Sequence, residues 1–197
     1  MDRSKLQILL NDRLLNKTEH ICGETRDKIM KDMHDFHNKH GIYEDVMVAM
    51  EEMAELIQVL SKVKRGKMGK DDIGVMEEIA DVRLCMYEIA MFVFDLPMET
   101  LNDRTSLLIS KDFGPNGYTY DAAIVAMSRM SNLSHKLGHI TSGKKRFSNK
   151  SLLKGISKVN ASMLALIAEY DIDLEKIRHI EDIKMERTKE RLKNGTN

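Results

Sequence analysis

Apolar residues recur along this chain at spacings of three and four, the period of a helix buried along one face. In the stretch 44 to 65, Val46, Met50, Met53, Ile57 and Leu60 fall on one stripe, while Glu44, Glu51, Gln58 and Lys62 gather on a wet side. The stretch 71 to 94 is apolar around most of its circumference, through Ile73, Val75, Met76, Ile79, Ala80, Val82, Leu84, Met86, Tyr87, Met91 and Val93. A helix of that kind belongs at the centre of a bundle.

Turn-forming residues cut the pattern into about eight helices: 3 to 17, 25 to 40, 44 to 65, 71 to 94, 98 to 111, 119 to 138, 149 to 170 and 173 to 193. Gly41 and Gly66 end two of them, and Pro97 follows a third. With two prolines, no tryptophan, 15 methionines and few β-branched runs, the chain reads as all-α, a helical bundle. Phe113-Gly114-Pro115-Asn116-Gly117-Tyr118 is the densest run of turn formers. It serves as a linker turn between a first half, 1 to 112, and a second, 119 to 197, packed as one globular unit.

The two halves look related. Residues 49 to 67 aligned with 126 to 144 share 7 identities in 19 positions without a gap, including the closing Gly-Lys at Gly66 and Gly143. Asp95-Leu96-Pro97-Met98-Glu99 likewise resembles Asp171-Ile172-Asp173-Leu174-Glu175. A degenerate tandem duplication of a helical hairpin accounts for both matches. In the second copy Ser128, Arg129 and Asn132 stand opposite Glu51, Glu52 and Glu55, and Ser157 and Asn160 opposite Glu78 and Asp81.

Charge excludes some function classes. Lysine plus arginine equals aspartate plus glutamate, 31 against 31, so no net field favours nucleic acid or an anionic membrane. No early apolar run resembles a signal peptide, and none reaches transmembrane length. Cys22 and Cys85 form neither a disulfide framework nor a zinc motif, which suits a reducing, cytoplasmic setting. His34, His37 and His40 share a spacing of three but have no partner pattern for zinc, so surface or capping roles are expected.

The chemistry lies in the acids. Glu52 and Glu55 fall beside Val48, Leu56 and Val59, a second apolar surface of their helix, with Glu51 at the wet margin. On the following helix Glu78 and Asp81 share a sector with Cys85, Ile89 and Phe92, and Glu77 lies at its edge. Carboxylates on such surfaces repel one another and are costly to bury without a positive partner. A hard divalent cation with oxygen ligands is the usual one.

Glu52-x-x-Glu55, 22 intervening residues, then Glu78-x-x-Asp81 resembles the signature of the MazG-like all-α nucleoside triphosphate pyrophosphohydrolases, relatives of dimeric dUTPases and dCTP pyrophosphatases. The local wording is similar too, EEMAEL at 51 to 56 and EEIADV at 77 to 82, and the match spans roughly 42 to 102. The resemblance implies hydrolysis of a nucleoside triphosphate, ribo or deoxyribo, to the monophosphate and pyrophosphate, with Mg2+, or Mn2+ in its place, as cofactor. It also implies Glu52, Glu55, Glu78 and Asp81 as metal ligands and catalytic residues; the general base is one of these four, or Glu51 or Glu77 just outside them. Lys62, Arg65, Lys67 and Lys70, on the loop joining the acidic helices, are candidate triphosphate contacts, and so is the basic tail from Lys184 to Lys193. Relatives without a duplication build their sites across paired subunits, so an internal pseudo-dimer or a homodimer is expected.

Three other readings compete. A di-iron carboxylate bundle wants Glu-x-x-His, and Gln58 and Asp81 occupy the histidine positions. A catalytically inactive regulatory or interaction module would keep the fold without the chemistry. A second half turned nucleotide sensor would bind ligand independently of the first-half acids.

Overall fold

A computed structural model describes residues 41–96, 98–114, 117–118, 120–144 and 147–194. Six α-helices make up almost all of it: α1 (Ile42–Lys64), α2 (Ile73–Glu88), α3 (Met98–Asp112), α4 (Ala122–Thr141), α5 (Asn149–Glu169) and α6 (Leu174–Asn194). The all-α expectation holds for these residues. The expected helices at 3 to 17 and 25 to 40 lie outside the described residues, as do Cys22 and the three histidines. The linker turn is a minimal hairpin, Phe113–Gly114 pairing antiparallel with Gly117–Tyr118.

Local chemistry sets the helix ends. Asp72, Asp121 and Ser148 each cap a helix by accepting a hydrogen bond from a first-turn amide, Gly74, Ile124 and Ser151 respectively. The α1 and α4 ends share one device. Gly66 and Gly143 adopt φ of 69° and 68°, and paired amide bonds return to the last turn: Gly66 to Val63, Lys67 to Lys62, Gly143 to Ile140 and Lys144 to His139. Glycine enters this left-handed region at little cost, which is why both helices stop there. Helix α4 therefore runs past Gly138, where 119 to 138 was expected. Gly138 faces α1, where a Cβ would meet the Met50 methyl at 3.6 Å, an ordinary contact.

Asp95 and Asp171, with φ of 46° and 56°, close the second helix of each hairpin. Before Asp95 the helix widens to π geometry over Ile89–Val93 instead of staying α to 94. Ser148 follows Asp72 by 76 residues, and Asp171 follows Asp95 by the same 76. This spacing sets Lys154 and Ser157 opposite Glu78 and Asp81, in place of Ser157 and Asn160.

Helices α1 and α2 form one hairpin and α4 and α5 another. Their first helices pack together, α1 on α4, and so do their second helices, α2 on α5. Contacts from Met53 to Ser134 and from Ser61 to Met127 run in opposite directions along α1 and α4, so the pair is antiparallel. Each hairpin sends its trailing helix to the other: α3 packs on α5, and α6 on α2.

The core collects the predicted stripes. Val46, Met53 and Leu60 of α1 are buried with Ile79, Val82 and Met86 of α2, Met130, Leu133 and Leu137 of α4, and Ile156, Met163 and Leu166 of α5. Helix α5 is long and apolar enough to cross a membrane by length and composition, contrary to the sequence reading. Yet 78% of that window is buried inside the protein, as in the core helix of a bundle.

Candidate metal centre

Antiparallel pairing of α1 and α2 sets the Glu52 and Glu55 turn beside the Glu78 and Asp81 turn. One carboxylate oxygen from each of Glu52, Glu55 and Glu78 lies within 4.8 Å of the others. At that separation two unit charges repel by about 3 kcal/mol at an effective dielectric constant of 20. Leu56 and Ile79 are fully buried and Val59 nearly so, giving the cluster an apolar floor, whereas Val48 stands 44% exposed at its rim.

The acids respond to this crowding. Glu52 is pushed up to about 7, first by burial and then by Asp81, Glu55 and Glu78, with Lys184 pulling the other way. Glu78 is raised by burial, then by Glu55 and Asp81. Its Oε2 is buried and has no hydrogen-bond partner. A buried carboxylate oxygen without a donor costs free energy that a cation at the same spot would recover.

Asp81 sits apart in one respect, because it forms an ion pair with Lys184 of α6. The approach of α6 is fixed one turn earlier. Arg83, 6% exposed on α2, bonds Glu181 at 2.5 Å. Burial works to strip the Arg83 proton, and the Glu181 carboxylate overcomes it, so the guanidinium stays charged. Glu181 and Lys184 are three apart and share a helix face, so anchoring one delivers the other. Lys184 is the cation that both Glu52 and Glu78 feel.

The outlying candidates fall elsewhere. Glu51 and Glu77 are exposed at the margin, and Glu77 acts on Glu78 only weakly. The loop cations are not brought to the acids. Lys62 and Lys67 are exposed, Arg65 donates to the Ser61 carbonyl at 3.0 Å, and Lys70 lies 4.9 Å from the centre of the Tyr170 ring. They stand seven or more residues from the clustered glutamates, about 10 Å along a helix. Cys85 is buried and its thiol is raised well above the ordinary range, chiefly by burial and then by Glu88, which suits a core residue and not a nucleophile.

A further buried acid lies two turns from Glu52 and is not among the predicted residues. Asp45 is 4% exposed and close enough to Cys85 to raise its thiol. It lies seven residues before Glu52, hence on the same side of α1, and that spacing was the available signal.

Oxygen-only donors, mutual repulsion and an orphaned buried oxygen are the features a hard divalent cation answers, and Glu52, Glu55 and Glu78 fit one, while Asp81 is paired with Lys184. Comparison with protein-family models, with curated proteins and with solved structures gives no match.

Proposed function

We propose that this chain is a divalent-metal-dependent nucleoside triphosphate pyrophosphohydrolase of the MazG-like all-α type, built from two copies of a helical hairpin of which only the first keeps its acids. The observation that carries the reading is the buried, partnerless Oε2 of Glu78 beside oxygens of Glu52 and Glu55. The recurrence of Asp72 at Ser148 and of Asp95 at Asp171, each 76 residues on, that of Gly66 at Gly143, 77 residues on, and the exchange of trailing helices support the duplication.

In this reading Glu52, Glu55 and Glu78 hold Mg2+ or Mn2+, which when bound neutralises triphosphate charge and acidifies a bound water. Without a cation Glu52 holds its proton up to about pH 7, so a bound cation would have to displace that proton before Glu52 could serve as a ligand. With a cation bound, Asp81 would gain a second positive partner, and Lys184 would then be free to meet substrate charge. Positioning and charge account for most of phosphoryl-transfer catalysis, so the chain has no need of a nucleophilic side chain.

A second reading, a regulatory module without catalysis, draws on the same ion pair: Lys184 already neutralises part of the acid cluster. Pyrophosphate release from ribo- and deoxyribonucleoside triphosphates, with Mg2+ or Mn2+, separates the two. The enzyme reading expects turnover that falls by orders of magnitude in Glu55→Gln and Asp81→Asn while helicity by circular dichroism is retained. Absence of pyrophosphate from the unaltered chain, or undiminished release in both variants, would establish the second reading or remove the site.

A further inference from the structure

The groove between α4 and α5 repeats the geometry of the acid groove with the charge reversed. Arg129 occupies the place of Glu52, and Lys154 that of Glu78. Lys158 follows one turn later on the same face of α5. Lys136, two turns beyond Arg129, brings its ammonium to 3.3 Å from the Ser151 carbonyl and 3.2 Å from the Ser151 hydroxyl, and to 5.9 Å from the Phe147 ring centre. Arg129 donates to the Lys158 carbonyl at 3.3 Å and to the Ser162 hydroxyl at 3.2 Å, which fixes it at the other end of the row.

The helices close tightly here. A Cβ on Gly155 would lie 3.0 Å from Leu133 Cδ1 and 3.9 Å from the Lys136 ammonium, so the lysines stand over a narrow floor. Among the described residues, no carboxylate bonds Lys136, Lys154 or Lys158. Burial, then Lys158 and Lys154, push the Lys136 ammonium below its ordinary value, as expected of cations gathered without a counter-charge. Ser151 is in the first turn of α5, so the positive end of that helix adds to the field.

We infer that this second groove is an anion site for a short polyphosphate, inorganic pyrophosphate or the triphosphate chain of a nucleotide, held by Lys136, Lys154 and Lys158 with Arg129 at its end. The row from Arg129 to Lys136 extends about 10 Å along α4, longer than one phosphate group requires. Lys150 lies one turn before Lys154 on α5, so the basic row runs along both helices, and a single-stranded RNA is the competing ligand that the test must separate. The site needs no metal, and so stands or falls separately from the acid groove.

The test is calorimetric titration of the full chain with inorganic pyrophosphate in EDTA, repeated with tripolyphosphate and with a nucleoside triphosphate. One saturable site per chain is expected, at least tenfold weaker in Lys154→Gln/Lys158→Gln and unchanged in the control Lys111→Gln on α3. Lys154 is exposed and Lys158 only partly buried, so the double variant should keep its fold, which circular dichroism checks. Tighter binding of the nucleotide than of tripolyphosphate would show that base and sugar are read as well, and equal binding that the phosphate chain alone is recognised; either supports the site. No saturation below millimolar pyrophosphate, or an affinity untouched by the double variant, overturns it. Lysine-dependent capture of a single-stranded RNA without pyrophosphate binding overturns it too.

Discussion

Removing a carboxylate from the acid groove should stabilise the metal-free protein, whereas most substitutions destabilise. Glu52 carries a proton affinity near pH 7 in the folded chain against an ordinary 4.5. Below pH 4.5 the group is protonated in both folded and unfolded chains and costs nothing. As pH rises from 4.5 to about 7 the unfolded chain ionises first, so folding stability is progressively lost over that window and stays lost above it. The full difference corresponds to roughly 3 kcal/mol, and screening by solvent at this partly exposed position brings it to about 1–2 kcal/mol. Glu52→Gln keeps the shape and removes the charge. In EDTA at pH 8 it should raise the melting temperature by roughly 2–8 °C for a chain of this size, and at pH 4.5 by almost nothing. Calorimetric melts of both proteins across that range provide the assay. Equal melting at pH 8, or an equal gain at both pH values, would refute the claim that the acids repel across an unfilled groove.

Two further perturbations probe α6. Lys184→Met should destabilise the metal-free chain by about 1 kcal/mol, because the pair it breaks is only partly buried, and should enlarge the melting shift given by Mg2+. An unchanged Mg2+ shift would mean that Lys184 does not compete for the site. Arg83→Met leaves Glu181 without its partner and should cost about 3–5 kcal/mol in urea unfolding, with most of that recovered in Arg83→Met/Glu181→Met. Failure of the double variant to recover would assign the cost to lost packing instead.

Much of this was legible in the sequence because it is local. Gly66 and Gly143 end their helices by a backbone rule, and the apolar circumference of α2 required a central position. The convergence of Glu52, Glu55 and Glu78 followed from spacing on two helices joined by a short loop. What escaped depends on distant packing. Lys184 reaches Asp81 across 103 residues, and no periodicity within α6 foretells it. Val48 appeared to extend an apolar surface, yet that surface stops at the groove rim. The loop cations lie near the acids in sequence, and in the fold Lys70 turns to Tyr170 and Arg65 to its own helix end. The second-half register slipped because the identities lie in α1 and α4, while the caps that fix α2 against α5 are single residues.

Titration of the full chain with Mn2+, following the free ion by its paramagnetic resonance, tests the central claim most directly. Binding confined to the first hairpin should appear in the unaltered protein, strengthen as pH rises through 7 while Glu52 loses its proton, and disappear in Glu55→Gln/Glu78→Gln. Binding that survives the double variant, or two equivalent sites per chain, would contradict an enzyme with its metal chemistry in one half.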